Sequence, residues 1–221
     1  VTFATAYVSY EQFYPEVMPY FPGMPEPLLL NAIRNACIEF CEKSDWLFYT
    51  PMMQDLQAGE DEYDLTLDLP PQTVISRVQS CWCNQQPVAP KSEEDLRAIY
   101  GLDWRNMQGN PCYITQYVPE ILIIIPTPTI FVPQGLGVTL VIRPSVPSTT
   151  VDPSLLNHWH EVIAAGARGR LYATPGQAYE NPKLAAQYME LFEAGVMRAQ
   201  IQRRMGLTRA IMRVRPPRLV P

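Results

Sequence analysis

At 221 residues and a net charge of −5, the chain has room for one generous domain or two small ones sharing a core. Hydrophobic residues make up 47% and charged ones only 18%, against about 25% charged in an ordinary soluble domain, so partners are expected to cover part of the surface. Its longest strongly apolar run, Ile121 to Ile125, ends at Pro126, far short of the ~20 residues that cross a bilayer, which excludes a spanning helix.

Residues 1–24 are aromatic, with Tyr7, Tyr10, Phe13, Tyr14, Tyr20 and Phe21, and are interrupted by Pro15, Pro19 and Pro22. Ser9 is placed to cap one short turn through Gln12 to Tyr14. The residues do not choose between packing this stretch on its own body and packing it on a neighbour. Glu11 and Glu16 also stand where a secretory leader would be basic and then apolar. From Glu26 to about Lys43, Leu29, Ile33, Ala36, Cys37 and Phe40 recur at three- and four-residue spacings, which predicts an amphipathic helix. Pro27 falls at its start, where a missing N–H does no harm.

The period then changes. Tyr63, Leu65, Leu67 and Leu69 alternate with Asp64, Thr66 and Asp68, predicting a half-buried strand over Gly59 to Leu69 that Pro70 and Pro71 stop. A second strand is expected over Val74 to Trp82 and a short helix from the cap Ser92 to Tyr100, ended by Gly101. Further strands are expected over Tyr113 to Ile125, with a break at Pro119, and over Val138 to Arg143. Between them, Ile130, Phe131 and Val132 form a candidate contact loop, or else fold back onto the sheet.

Two helices close the pattern. Asp152 and Pro153 start one, and Asn181 and Pro182 start the other, which runs to Gly206. Helices from the two chain ends need each other to bury their stripes, and the expected helical core is Leu29, Ile33, Phe40, Trp159, Ile163, Tyr188, Leu191 and Phe192. The predicted fold class is therefore α+β: a small helical bundle built from both chain ends (25–58 and 145–206), an inserted β-rich domain (59–144), the aromatic segment (1–24) and an extended basic arm (207–221).

Catalytic chemistry finds no constellation here, and no enzyme, cofactor or resident metal is expected. His158 and His160 stand two apart on a helix and face different ways. A zinc site from Cys81, Cys83, His158 and His160 has neither usual ligand spacing. The five cysteines are unpaired in pattern and read as free thiols of a reducing compartment. Glu60, Asp61, Glu62 and Asp64 lack the glycine and terminal glutamate of a calcium loop, and the glycine pairs lack the Lys-Ser or Lys-Thr of a phosphate loop. Charge, by contrast, is sharply divided. Residues 198–221 carry seven arginines and no acid, while all 22 acidic side chains precede them. Such an end seeks an acidic surface, on a protein or on nucleic acid.

Taken in chain order, several segments carry a resemblance. They are Pro27-Leu28-Leu29 with Ile38-Glu39-Phe40-Cys41; Gly59 with Tyr63-Asp64-Leu65; Gly109-Asn110-Pro111-Cys112-Tyr113; and Leu122-Ile123-Ile124 with Pro126 and Pro128. Trp159 with Ile163-Ala164-Ala165-Gly166-Ala167 and Leu171-Tyr172 follows, then Pro175-Gly176, Asn181-Pro182, Tyr188, Phe192 and Gly195. Together these resemble the head-to-tail adaptor (connector) proteins of tailed bacteriophages, of the short-tailed phage tail tubular class, over about residues 25–205, with the two terminal segments outside the shared portion.

The resemblance implies a structural subunit of a ring, usually twelvefold, in the virion neck, assembled in the host bacterial cytoplasm. Its partners would be further copies of itself, the portal protein, a downstream tail or nozzle protein, and double-stranded DNA passing without sequence recognition. It implies no membrane partner. It also implies a portal-docking arm, for which Arg203, Arg204, Arg209, Ile211, Arg213, Arg215 and Arg218 are the candidates. Alternatives are another neck, tail-completion or capsid accessory subunit, and a nucleic-acid-binding module, which the acidic body disfavours.

Overall fold

A computed structural model describes residues 7–206 of the chain. In chain order the elements are β1 (Val8–Ser9), α1 (Tyr14–Val17), α2 (Glu26–Ser44), β2 (Phe48–Tyr49), β3 (Gln54–Leu56), β4 (Glu62–Asp64), β5 (Thr73–Cys83) and β6 (Gln86–Pro90). Then follow α3 (Glu93–Tyr100), β7 (Gln108–Gly109), β8 (Tyr113–Thr115), β9 (Ile121–Ile125), β10 (Thr127–Pro128), β11 (Val132–Pro144), β12 (Thr150–Val151), α4 (Pro153–Tyr172) and α5 (Pro182–Met205). The fold is α+β. The chain divides into two compact units, one formed by the residues up to Trp46 with those from Thr150 onward, the other by Leu47–Thr149.

In the helical unit, local chemistry sets the helix starts. The side chains of Asp152 and Asn181 accept from the backbone N–H of Ser154 at 2.8 Å and of Leu184 at 3.2 Å, satisfying donors that a helix start leaves unpaired. Leu29, Ile33, Phe40, Trp159, Ile163 and Phe192 are buried in a core shared by α2, α4 and α5, and Tyr188 is half-buried. Leu191, expected in that core, is instead 58% exposed. Adjacent residues diverge by about 100° around a helix, and Phe192 takes the inward place. The antiparallel pair α4 and α5 is held close by small residues. A Cβ on Gly166 would stand 2.6 Å from the Phe192 ring, and one on Gly195 2.4 Å from Val162 Cγ1.

The aromatic segment folds onto this same unit. Tyr10, Phe13, Val17 and Phe21 are buried, and Val8 and Ser9 pair with Val151 and Thr150. The guanidinium of Arg168 lies 4.4 Å from the Tyr20 ring and 5.2 Å from that of Tyr188, with Glu16 at 3.7 Å. Such a cation held between ring faces prefers the aromatic quadrupole to water.

In the β unit the sheet order is β2-β11-β5-β6-β8-β9-β4, with β3 also paired to β11. It curls so that Gln54 Nε2 donates to the Asp64 carbonyl at 2.8 Å. The unit begins at Leu47, ahead of the expected boundary at residue 59, because β2 and β3 are neighbours of β11. Leu56, Leu65, Leu122, Ile124, Leu136 and Leu140 fill its core, and Leu96 and Trp104 form a second cluster with Ile123 and Ile125. The strand expected over Gly59 to Leu69 shortens to β4, and Leu67 is 72% exposed. Asp64 Oδ1 accepts from both the N–H and the hydroxyl of Thr66 at 2.7 Å. A side chain that turns its own backbone in this way competes with strand pairing.

Candidate functional site

Two surfaces have the character of docking sites. The first is the loop between β10 and β11. Ile130 and Phe131 are 64% and 53% exposed, whereas Val132 is half-buried and opens β11 opposite Leu56. The loop is anchored behind its tip, where the Gln134 N–H donates to Asp55 Oδ1 at 2.8 Å. A second apolar spot in the same unit was missed by sequence reasoning. On it, exposed Met53 and Trp82 lie beside Gly137, where an added Cβ would meet them at ordinary contact distances of 3.6 and 3.9 Å. Trp82 stands directly opposite Gly137 across the β5–β11 ladder. The alternation of Cys81, Trp82 and Cys83 already placed Trp82 on the face away from the two thiols, which was the available signal.

The second surface is the end of α5. Arg204 is exposed there. Arg203, assigned to the docking arm, is instead tied into the bundle: its Nε donates to the Asp45 carbonyl at 2.5 Å, at the point where α2 ends in a left-handed residue. That carbonyl is one of the acceptors a helix end leaves open. Arg209, Ile211, Arg213, Arg215 and Arg218 lie outside the described residues.

The remaining polar candidates do not converge. His160 Nδ1 lies 3.0 Å from the Leu156 carbonyl on its own helix, and exposed His158 faces the Trp46 ring at 6.1 Å. Among the described residues no group of three or more His, Cys, Asp or Glu side chains is placed to hold a metal. Cys81 and Cys83 are buried, and their mutual hydrogen bond, together with burial, pushes the Cys81 thiol up. Burial likewise pushes up the Cys37 thiol. A protonated thiol is neither a nucleophile nor a ligand. Because Cys37, Cys41, Cys81 and Cys83 are all buried, a maleimide reagent should label exposed Cys112 rapidly in the native protein and all five cysteines only in denaturant. Rapid native labelling of Cys81 would contradict this.

What the geometry presents is surfaces, and the family relationship agrees. A family model described as SU10 adaptor protein matches residues 10–216. The chain belongs to the SU10 adaptor protein family. It is a phage head-to-tail adaptor. No curated protein matches it. The family match begins at Tyr10 and runs to Pro216, so most of the aromatic segment (1–24) and most of the basic end (207–221) fall within the matched span. They had been expected to fall outside it. No described helix is long and apolar enough to cross a membrane.

Proposed function

We propose that this adaptor is a non-enzymatic ring subunit, usually twelvefold, seated between the portal and the next tail component in the virion neck. The observation that carries this is the family match across both compact units. Ring and portal contacts account for a chain poor in charge, and the exposed Ile130–Phe131 tip suits a platform for a tail or nozzle protein. Apolar side chains in that position are costly in water and gain on burial against a partner. DNA would pass through the ring without sequence readout. The body is acidic, and like charge discourages a polyanion from sticking to a channel wall. Pro216 and Pro217, which disfavour a helix interior, and the mixture of aliphatic and arginine residues over 207–215 favour an arm laid in a protein groove. Arginine's planar fork suits carboxylates on that groove.

Deleting residues 207–221 tests the arm. The truncated chain should keep its helical content by circular dichroism and no longer assemble on portal particles. Full rings on portals from the truncated chain, with a loss of affinity for double-stranded DNA, would transfer the role of these residues to nucleic acid.

A further inference from the structure

Strand β5 outruns its neighbour β6. It pairs with β11 from Thr73 to Cys83, whereas β6 covers only Cys81–Cys83 before crossing to β8 through Ala89 and Pro90. Among the described residues no strand pairs with the other edge of β5 over Thr73–Ser80. The β5–β11 register shifts twice along that stretch, leaving Gln79 and Ser76 as extra residues on β5, and such bulges bend a strand. A cavity of about 400 Å³ lies between β5 and β8, lined by apolar Val78, Pro90, Ile114 and Leu122 and by charged Arg77, Lys91 and Glu93. A bulge that only blunts an edge needs no apolar floor beneath it. This one has a floor, and the lane that β6 leaves at Pro90 is the width of one strand.

We propose that Val1–Ala6 of a second copy adds as a strand in this lane, antiparallel to β5 and parallel to β8, with Phe3 set over Leu122. In strand addition, main-chain hydrogen bonds supply affinity and side-chain pockets supply specificity. The charges around the cavity are answered within the chain: Lys91 faces Asp95 at 3.9 Å, Glu93 pairs with Arg97, and Arg77 is engaged as well. An incoming strand therefore needs no charge of its own, and the arginines of residues 207–215 would meet Arg77 and Lys91. Val1–Ala6 lies outside the described residues and reads Val-Thr-Phe-Ala-Thr-Ala, without a charged side chain, proline or glycine. Val, Thr and Phe favour a strand, and alternation sets Val1, Phe3 and Thr5 on one face. The donor is a second copy because β1 lies antiparallel on β12, Val8 opposite Val151 and Ser9 opposite Thr150. That register sends the chain before Tyr7 past Asp152, away from Thr150, where the chain enters the helical unit. Six residues reach at most about 20 Å. The inference rests on the reading that copies assemble, and it names a contact between them.

The test uses the full chain with p-benzoylphenylalanine in place of Phe3, in isotopically light and heavy forms. The two are mixed and irradiated, alone at high concentration and on portal particles. Cross-links should join light to heavy chains and fall in the peptides around Arg77–Gln79 or Ile114–Leu122. A chain lacking residues 1–6 should keep its circular dichroism and assemble at least about tenfold more weakly, as expected from losing one buried aromatic anchor. A synthetic peptide of residues 1–6, in large excess, should slow hydrogen exchange of the β5 amides in that shortened chain. The same peptide with Phe3→Asp should not. Cross-links confined to one chain or to another surface would overturn the inference, as would β5 amides that the peptide leaves unprotected. Protection of β5 by the peptide without rings on portals would keep the strand site and refute the ring. Full rings from the shortened chain, with no cross-link in the lane from the longer one, would keep the ring and refute the site.

Discussion

Replacing Gly195 by valine is expected to destabilise the adaptor by about 3 kcal/mol, the upper part of the range for overfilling a packed interior. A Cβ at this position would stand 2.4 and 2.6 Å from the two methyl carbons of Val162. Valine's branching at Cβ leaves one favoured rotamer in a helix, so Val162 cannot swing aside as a long flexible side chain would. The extra methyls of the new residue then force α4 and α5 apart. Helix propensity changes by only a few tenths of a kcal/mol in valine's favour and does not offset the clash. Gly109→Ala serves as the control, because the nearest atom to its Cβ would be Pro126 Cβ at 3.7 Å. It should stay within ~0.5 kcal/mol of the parent in urea denaturation. Equal midpoints for Gly195→Val and the parent would show that the two helices do not pack as described.

Phe192→Ala should cost about 3–5 kcal/mol, and its neighbour Leu191→Ala less than about 0.5 kcal/mol. Phe192 is wholly buried, with the Phe40 ring 6.5 Å away and the Arg170 guanidinium 5.8 Å from its own ring. Truncation leaves a cavity that α2, α4 and α5 cannot close together. Leu191 faces solvent, and its removal takes away little that folding had buried. Ile33→Ala, fully buried in α2, belongs with Phe192 at about 2–5 kcal/mol. A large loss for Leu191→Ala would return that residue to the core in which its periodicity had placed it.

The contrast between these neighbours marks where sequence pattern stops. Helix boundaries were legible because their signals are local: Ser92, Asp152 and Asn181 each accept a hydrogen bond from the first turn of the helix they precede. The inward faces of α2 and α4 were legible because each helix has one strongly apolar stripe. On α5, apolar residues lie on two sides, so periodicity found the helix and misplaced Leu191. The strand over Gly59 to Leu69 failed for the opposite reason. Its alternation was sound, but two hydrogen bonds from Thr66 to Asp64 bend the backbone before Leu67. The attachment of Arg203 to Asp45 joins residues 158 apart, and the seat of the aromatic segment depends on Arg168 reaching Tyr20. Neither contact leaves a local trace. Of the exposed apolar surfaces, the Ile130–Phe131 tip could be singled out from its prolines and glycines alone, whereas the Met53–Trp82 spot needs the pairing of β5 with β11.

We propose that this adaptor works as a ring subunit on the portal and not as a free enzyme or nucleic-acid binder. Mass measurement of the purified chain, alone and mixed with its portal protein, tests it most directly. A ring subunit gives a discrete complex in which the portal carries a full ring of adaptor copies, near a dodecamer in added mass. A chain that remains a stable monomer under both conditions would contradict it.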